Sequence, residues 1–289
     1  MITEDLNPLA ADIDALSIEE IVRIMNDEDM LVVKAVKNAR DSICKAIYNA
    51  VDCIKSGGSL IYIGAGTSGR LGILDSSEMP PTFNVSPETV RAIIAGGNEA
   101  ITNSIEGAED DEDAGKMALA NIKDKDMLLG ITASGKTPFV ISALKQGKNI
   151  GARCWLLTCN DVEHDFLDGI IKVLVGPEII AGSTRLKAGT ATKMVLNAIS
   201  TAMMINLGKV YKGYMVDVVP SNKKLLDRAL RIIQTIAGCS NEEAKELLVK
   251  SNYNPKTAVL MHLKGLSYED AKSLLERSED SLRKALEWS

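Results

Sequence analysis

The chain has 289 residues, 46% of them hydrophobic, and a formal net charge of -6. That length can bury a core for one large domain plus a smaller one. The acidic balance excludes a general nucleic-acid binder, which needs clustered Lys and Arg against phosphates. Five cysteines (Cys44, Cys53, Cys154, Cys159, Cys239) form no C-x-x-C pair and read as reduced thiols of a cytoplasmic protein. The two histidines, His164 and His262, lie far apart without ligand-like neighbours. Neither a zinc site nor a Ser-His-Asp centre fits them, so no metal or other cofactor is expected.

The first residues, MITEDLNPLAADID, are acidic and lack the apolar segment of a signal peptide. No stretch is both long and apolar enough to span a membrane, so a membrane-free cytoplasmic protein is expected. Ser17 and Glu20 have capping-box spacing and start a short helix. Apolar residues at helical spacing then predict one long helix from Asp29 to Ser56, stopped by Gly57-Gly58.

Short apolar runs follow at 59–66, 90–97, 126–135, 152–160 and 169–178, with helical stretches between most of them. The run at 90–97 is expected to lead into a helix from about Glu99. Runs apolar on both faces that alternate with helices indicate a parallel sheet covered on two sides, hence an α/β fold. The segment 186–209 is apolar almost all round and reads as a core or interface helix. After Pro220 only helical patterns appear. Ser240 and Ser267 have cap spacing, Pro255 suits a first turn and Gly265 a stop. The expected division is a catalytic domain over 1–220 and a small all-helical domain over 221–289.

Three hydroxyl-rich turns stand at strand ends and helix starts: Gly64–Arg70, Thr132–Thr137 and Gly182–Thr190. Glycines let the backbone approach a ligand, and free N–H groups at a helix start attract an anion. The first turn is neither a dinucleotide fingerprint nor a nucleotide P-loop. Converging at the carboxyl edge of a parallel sheet, where such sheets bind ligands, the turns point to a phosphorylated polyol or sugar. Candidate ligands are Gly66, Thr67 and Ser68 of the first turn, Ser134, Gly135 and Thr137 of the second, and Ser183 and Lys187 of the third. For Lys136, Arg185 and Lys187, surface charge at a helix end is an equal alternative.

The acid–base candidates are glutamates. Glu78 precedes Pro80-Pro81, which stops a short helix and sets the acid on a rigid terminus. Glu109 opens the run Glu109-Asp110-Asp111-Glu112-Asp113, and spacing alone does not separate it from a solvated charge run. The run lacks the alternate oxygen ligands and glycine of a calcium loop.

The block GAGTSGRLGILDSSEMPPTF (64–83) resembles the signature of the N-acetylmuramic acid 6-phosphate etherases, and AGGNEAITNSIEGAEDDEDAG, ITASGKTPFV and GPEIIAGSTRLKAGTATKMVLN resemble that family's further blocks. The similarity covers nearly the whole chain. It implies a sugar isomerase (SIS) fold, a flavodoxin-like parallel sheet sandwiched by helices, usually in a homodimer. It implies cleavage of a D-lactyl ether to N-acetylglucosamine 6-phosphate and D-lactate. It places the proton donor on Glu78 and a second catalytic glutamate on Glu109. Ser68, Ser134 and Thr137 match hydroxyls that SIS domains use on sugar phosphates. One departure is Leu6, where the family usually has arginine in T-E-x-R-N-P.

Elimination across C2 and C3 of the ring-opened sugar needs a base and an acid, then water addition at C3. One acid has to be protonated near neutral pH, which burial or the other carboxylate would favour. A phosphosugar isomerase and a non-enzymatic phosphosugar sensor are the alternatives on the same fold.

Overall fold

The computed structural model describes residues 1–288. Short 3-10 turns over residues 2–15 lead to helices α1 (Ile18–Asn38) and α2 (Arg40–Lys55). The Ser17–Glu20 capping box is formed, with each side chain bonded to the other's backbone N–H. The expected single helix over 29–56 is instead broken at Ala39, and α1 absorbs the short first helix. Ala39 N–H donates to the carbonyls of Ala35 and Val36, a tightened turn, and the Ser42 hydroxyl caps the Ala39 carbonyl at 2.8 Å. Ala39 is buried, and the apolar periodicity continues across it, so spacing conceals the break.

The chain continues through β1 (Leu60–Gly64), α3 (Gly66–Ser77), α4 (Met79–Phe83), β2 (Val90–Ile94), α5 (Glu112–Met117), β3 (Met127–Ile131), α6 (Pro138–Ile150), β4 (Arg153–Thr158), β5 (Gly169–Lys172) and α7 (Lys187–Asn206). The five strands form one parallel sheet ordered β2-β1-β3-β4-β5, the flavodoxin-like order. The helix expected from Glu99 is a single 3-10 turn, Gly97–Ile101, because Gly96 and Gly97 both take positive φ and the chain turns at once.

Alternation along each strand separates the two faces. Ile61, Ile63 and Leu128 pack with Val140, Ala143 and Leu144 of α6. Tyr62, on the other face, approaches α3: a Cβ on Gly72 would stand 3.0 Å from the Tyr62 Cβ. Gly64 and Gly69 also let α3 lie tight on β1, since a Cβ on either would fall within 3 Å of the other's backbone. Tyr62 hydroxyl donates to buried Asp75 at 2.9 Å, and Ser200 of α7 donates to the same carboxyl at 3.1 Å. At the start of α7, Glu178, fully buried, accepts from the N–H groups of Lys187 and Ala188. A carboxylate there satisfies orphan donors and complements the helix dipole.

The chain divides into two compact units: Met1–Ser77 with Pro87–Ser200, and Glu78–Ser86 with Thr201 onward. The division expected at 220/221 falls inside the second unit, which begins within α7 and includes α4. This unit contains a hairpin of β6 (Val210–Tyr211) and β7 (Tyr214–Met215), turned by Lys212 and Gly213, both at positive φ. Five helices follow: α8 (Lys223–Ala237), α9 (Asn241–Lys250), α10 (Pro255–Lys264), α11 (Tyr268–Arg277) and α12 (Leu282–Glu287). Each starts with a side-chain cap, from Asn222, Ser240, Asn254, Ser267 and Ser281 in turn, worth roughly 1 kcal/mol apiece. Pro255 opens α10 and Gly265 closes it, as expected.

The core of the second unit includes Val216, Ile233, Leu248, Leu260 and Leu275. Fully buried Lys256 pairs with Asp217 at 2.9 Å and Asp280 at 2.8 Å. Burial pushes the Asp280 carboxyl up, but Lys256 and Lys209 more than offset it and hold it below the usual range.

Candidate active site

Four loops of the first unit and the chain's N-terminal segment surround a cleft of about 460 Å³. From the β1–α3 turn come Gly66, Thr67 and Ser68, and from the β3–α6 turn Thr132, Ser134, Lys136 and Thr137. Gly182 and Thr184 line it from the segment before α7, Glu109 and Asp110 from the loop before α5, and Met1, Thr3 and Glu4 from the N-terminus. Both hydroxyl turns follow the carboxyl ends of adjacent strands, as the sheet order requires.

The β3–α6 turn is cross-braced. Thr132 Oγ1 lies 3.1 Å from Ser134 Oγ and 2.7 Å from Thr137 Oγ1, and Ser134 Oγ accepts the Lys136 N–H at 3.2 Å. Gly135 holds φ 73°, and a Cβ there would meet Val162 at 2.6 Å. Gly135 thus shapes the turn from behind, its carbonyl 2.9 Å from His164 Nε2, and does not itself line the cleft. Thr158 hydroxyl and Asn160 amide both donate to the Ala133 carbonyl.

The acidic run is divided by its backbone. Gly107, at φ 74°, starts a 3-10 turn over Ala108–Asp110, which carries Glu109 and Asp110 to the cleft. Asp111 caps α5 through the Ala114 N–H at 2.8 Å, and Asp113 pairs with Lys116 at 2.8 Å. That lysine holds the Asp113 carboxyl below its usual range. Gly115 lets α5 lie on α6, since a Cβ there would stand 2.3 Å from the Phe139 carbonyl oxygen. Spacing left the run undivided; the turn after Gly107 and the α5 cap at Asp111 divide it.

Glu78 belongs to the second unit. It is exposed and occupies the N-cap position of α4, with its carbonyl accepting the Thr82 N–H. Pro80-Pro81 therefore opens α4 and does not stop the preceding helix, because α3 already ends at Ser77. Glu109 is exposed as well, so neither carboxyl receives the expected burial from the chain itself.

Lys187 is not among the lining residues. Its side chain is 3% exposed and its ammonium is paired with Glu28, which also accepts the Asn7 amide at 2.7 Å. A buried partner, not a surface anion, claims that charge. Ser183 sits between two lining residues without lining the cleft itself, and Arg185 lies outside it. Arg70 ties α3 to the carbonyls of Ile101 and Asn103 at 3.0 and 2.7 Å. Sequence reasoning missed Glu4, Asp110 and Thr3 as lining residues; the only local signal was the unusual Thr3-Glu4 and Asn7-Pro8 pairs ahead of the first cap. Among the described residues no three His, Cys, Asp or Glu side chains are grouped to hold a metal ion.

The description "Glucokinase regulatory protein N-terminal SIS domain" matches residues 42–148, and "C-terminal lid domain of glucokinase regulatory protein" matches 212–258. The chain is 50% identical over 288 residues to N-acetylmuramic acid 6-phosphate etherase 1 of Bacillus licheniformis, covering 98% of this chain and 95% of that one. It is 47% identical over 289 residues to N-acetylmuramic acid 6-phosphate etherase of Geobacillus thermodenitrificans, covering 99% and 98%. A solved protein of E. coli is 18% identical with a TM-score of 0.50, covering 68% of this chain and 96% of that chain, and shares the fold.

Proposed function

The chain belongs to the N-acetylmuramic acid 6-phosphate etherase family, and from that premise we propose that its cleft holds the sugar phosphate while Glu78 and Glu109 supply the acid–base chemistry. The activity is that of a carbon–oxygen lyase, which splits the D-lactyl ether of N-acetylmuramic acid 6-phosphate to N-acetylglucosamine 6-phosphate and D-lactate. The observation that carries the site assignment is the convergence of Thr67, Ser68, Ser134 and Thr137 with Glu109 around one cleft.

The phosphate takes hydrogen bonds from these hydroxyls and from backbone N–H groups at the starts of α3 and α6. Gly66, Gly135 and Ser183 shape the turns that present them. With the sugar opened to its aldehyde, the C2 proton is acidified. A carboxylate removes it, the C3–oxygen bond breaks, and Glu78 as acid protonates the departing lactate oxygen. Glu78, then a carboxylate, takes a proton from the water that adds at C3, and a proton returns to C2. Glu109 supports the transfer at C2.

The enzyme works in the cytoplasm as a homodimer, in amino-sugar catabolism and peptidoglycan recycling. Supporting this, no helix among the described residues is long and apolar enough to cross a membrane. The exposed apolar residues Ile18, Val22, Met30 and Val33 of α1 fit a surface covered by a second copy. Lactate release from N-acetylmuramic acid 6-phosphate, measured alongside C2 proton exchange in deuterium oxide, tests the reading. Glu78→Gln is expected to abolish lactate release, and a Glu78→Gln variant turning over at near wild-type rate overturns its role. An isomerase would exchange the C2 proton and release no lactate.

A further inference from the structure

Two buried anchors hold the N-terminal segment against the cleft. Thr3 is 1% exposed; its hydroxyl accepts from Asn160 Nδ2 at 3.0 Å and its carbonyl from the Gly182 N–H at 2.9 Å. Asn7 is 3% exposed and donates to Glu28 and, at 3.2 Å, to the Pro177 carbonyl. Glu4, Asp5 and Leu6 between them are exposed, and of these three only Glu4 lines the cleft.

The backbone keeps a place for that carboxyl. Gly182 adopts φ 73°, and a Cβ there would stand 2.7 Å from Glu4 Oε2. Any larger residue at 182 would be strained and would also displace Glu4. The Asn160 amide that anchors Thr3 also donates to the Ala133 carbonyl at 2.9 Å, so one buried side chain ties the acid's segment to the β3–α6 hydroxyl turn.

We propose that Glu4 is a substrate-binding carboxylate that reads the uncharged part of the phosphosugar, accepting hydrogen bonds from its hydroxyl or amide N–H donors. This rests on the phosphosugar reading of the cleft. An ionised carboxylate accepts and cannot donate. It repels a phosphate or a lactyl carboxylate, whereas a neutral donor placed against it gains a charge-assisted bond. The hydroxyl turns take the anion, and Glu4 distinguishes a polyhydroxylated chain from the bare anion.

The test titrates the full-length protein and its Glu4→Ala, Glu4→Gln and Gly182→Ala variants with N-acetylglucosamine 6-phosphate and, separately, inorganic phosphate, by calorimetry. Lactate release supplies kcat and KM, and melting temperatures check folding. Glu4→Ala is expected to weaken N-acetylglucosamine 6-phosphate and raise KM by about tenfold, with kcat and inorganic phosphate affinity nearly unchanged. Glu4→Gln and Gly182→Ala shift in the same direction. Unchanged sugar-phosphate affinity in Glu4→Ala overturns the proposal. So does a parallel loss of inorganic phosphate affinity, which would assign Glu4 to holding the cleft's shape. If the wild-type protein binds N-acetylglucosamine 6-phosphate but releases no lactate, the etherase reading has failed and the binding arm alone decides Glu4. 2-Deoxyglucose 6-phosphate, which carries no donor at C2, identifies the donor: its affinity falls in Glu4→Ala only where a hydroxyl elsewhere on the sugar faces Glu4.

Discussion

The hydroxyls of Thr132 and Thr137 lie 2.7 Å apart across the β3–α6 turn. With Ser134 also bonded to Thr132, the set is braced before any ligand arrives, so an anion bound there does not have to order it. Thr137→Val keeps the shape and removes the hydroxyl. Loss of one hydrogen bond to a charged group is worth roughly 1.5–3 kcal/mol, or about 10- to 100-fold in KM. Inhibition by inorganic phosphate should weaken by the same factor, which Glu4 variants do not do.

Lys187 stabilises the first unit through Glu28. Lys187→Met leaves the Glu28 carboxylate, 11% exposed, without its cation. Breaking one side of such a pair costs roughly 3–5 kcal/mol, whereas replacing both members costs far less. Urea denaturation is expected to show a large loss for Lys187→Met and a partial recovery in Glu28→Met/Lys187→Met. Phosphate inhibition of the folded single variant is expected to stay at the wild-type value; a selective loss of phosphate binding would restore Lys187 as a ligand.

Asp75 introduces a pH dependence of known sign. Burial pushes its carboxyl above the ordinary 3.8, against the opposing hydrogen bonds from Tyr62 and Ser200. The folded state therefore binds this proton more tightly than the unfolded state, and stability falls as pH rises from about 3.8 through the raised folded value. Asp75→Asn removes that contribution. The difference in melting temperature between Asp75→Asn and wild type is expected to move in favour of the variant as pH rises through this window, then level off. A difference independent of pH would refute the assignment.

Thiol reactivity separates the cysteines. Cys44 is exposed, whereas Cys53, Cys154 and Cys159 are buried. Burial raises Cys53 to about 11 and both Cys154 and Cys159 to about 12. Since the thiolate is the reactive form, these three are expected to resist a thiol reagent at pH 8 until guanidinium unfolds the chain. Rapid labelling of Cys159 in the native protein would contradict its placement.

The sheet, its hydroxyl turns and the caps at Ser240 and Ser267 were legible in the sequence, because each depends on residues within a turn or a strand of one another. Ser240 bonds to Glu243, three positions on, and the apolar runs need only their own two-residue alternation. The placement of the cleft was partly legible: the hydroxyls beside glycines at the ends of β1 and β3 are the ones that line it. The break at Ala39 was hidden because apolar spacing continues across it.

Other features were decided only when distant segments met. Lys187 reads as a ligand or a surface charge until Glu28, 159 positions away, claims it. Glu109 is indistinguishable from its acidic neighbours until the 3-10 turn after Gly107 brings it, with Asp110, to the cleft. Glu4 is an unremarked terminal acid until Gly182 makes room for it. Local patterns encode the elements because backbone geometry repeats over a few residues. Which charge ends up buried, paired or free depends on packing between segments, and no periodicity in the chain records that.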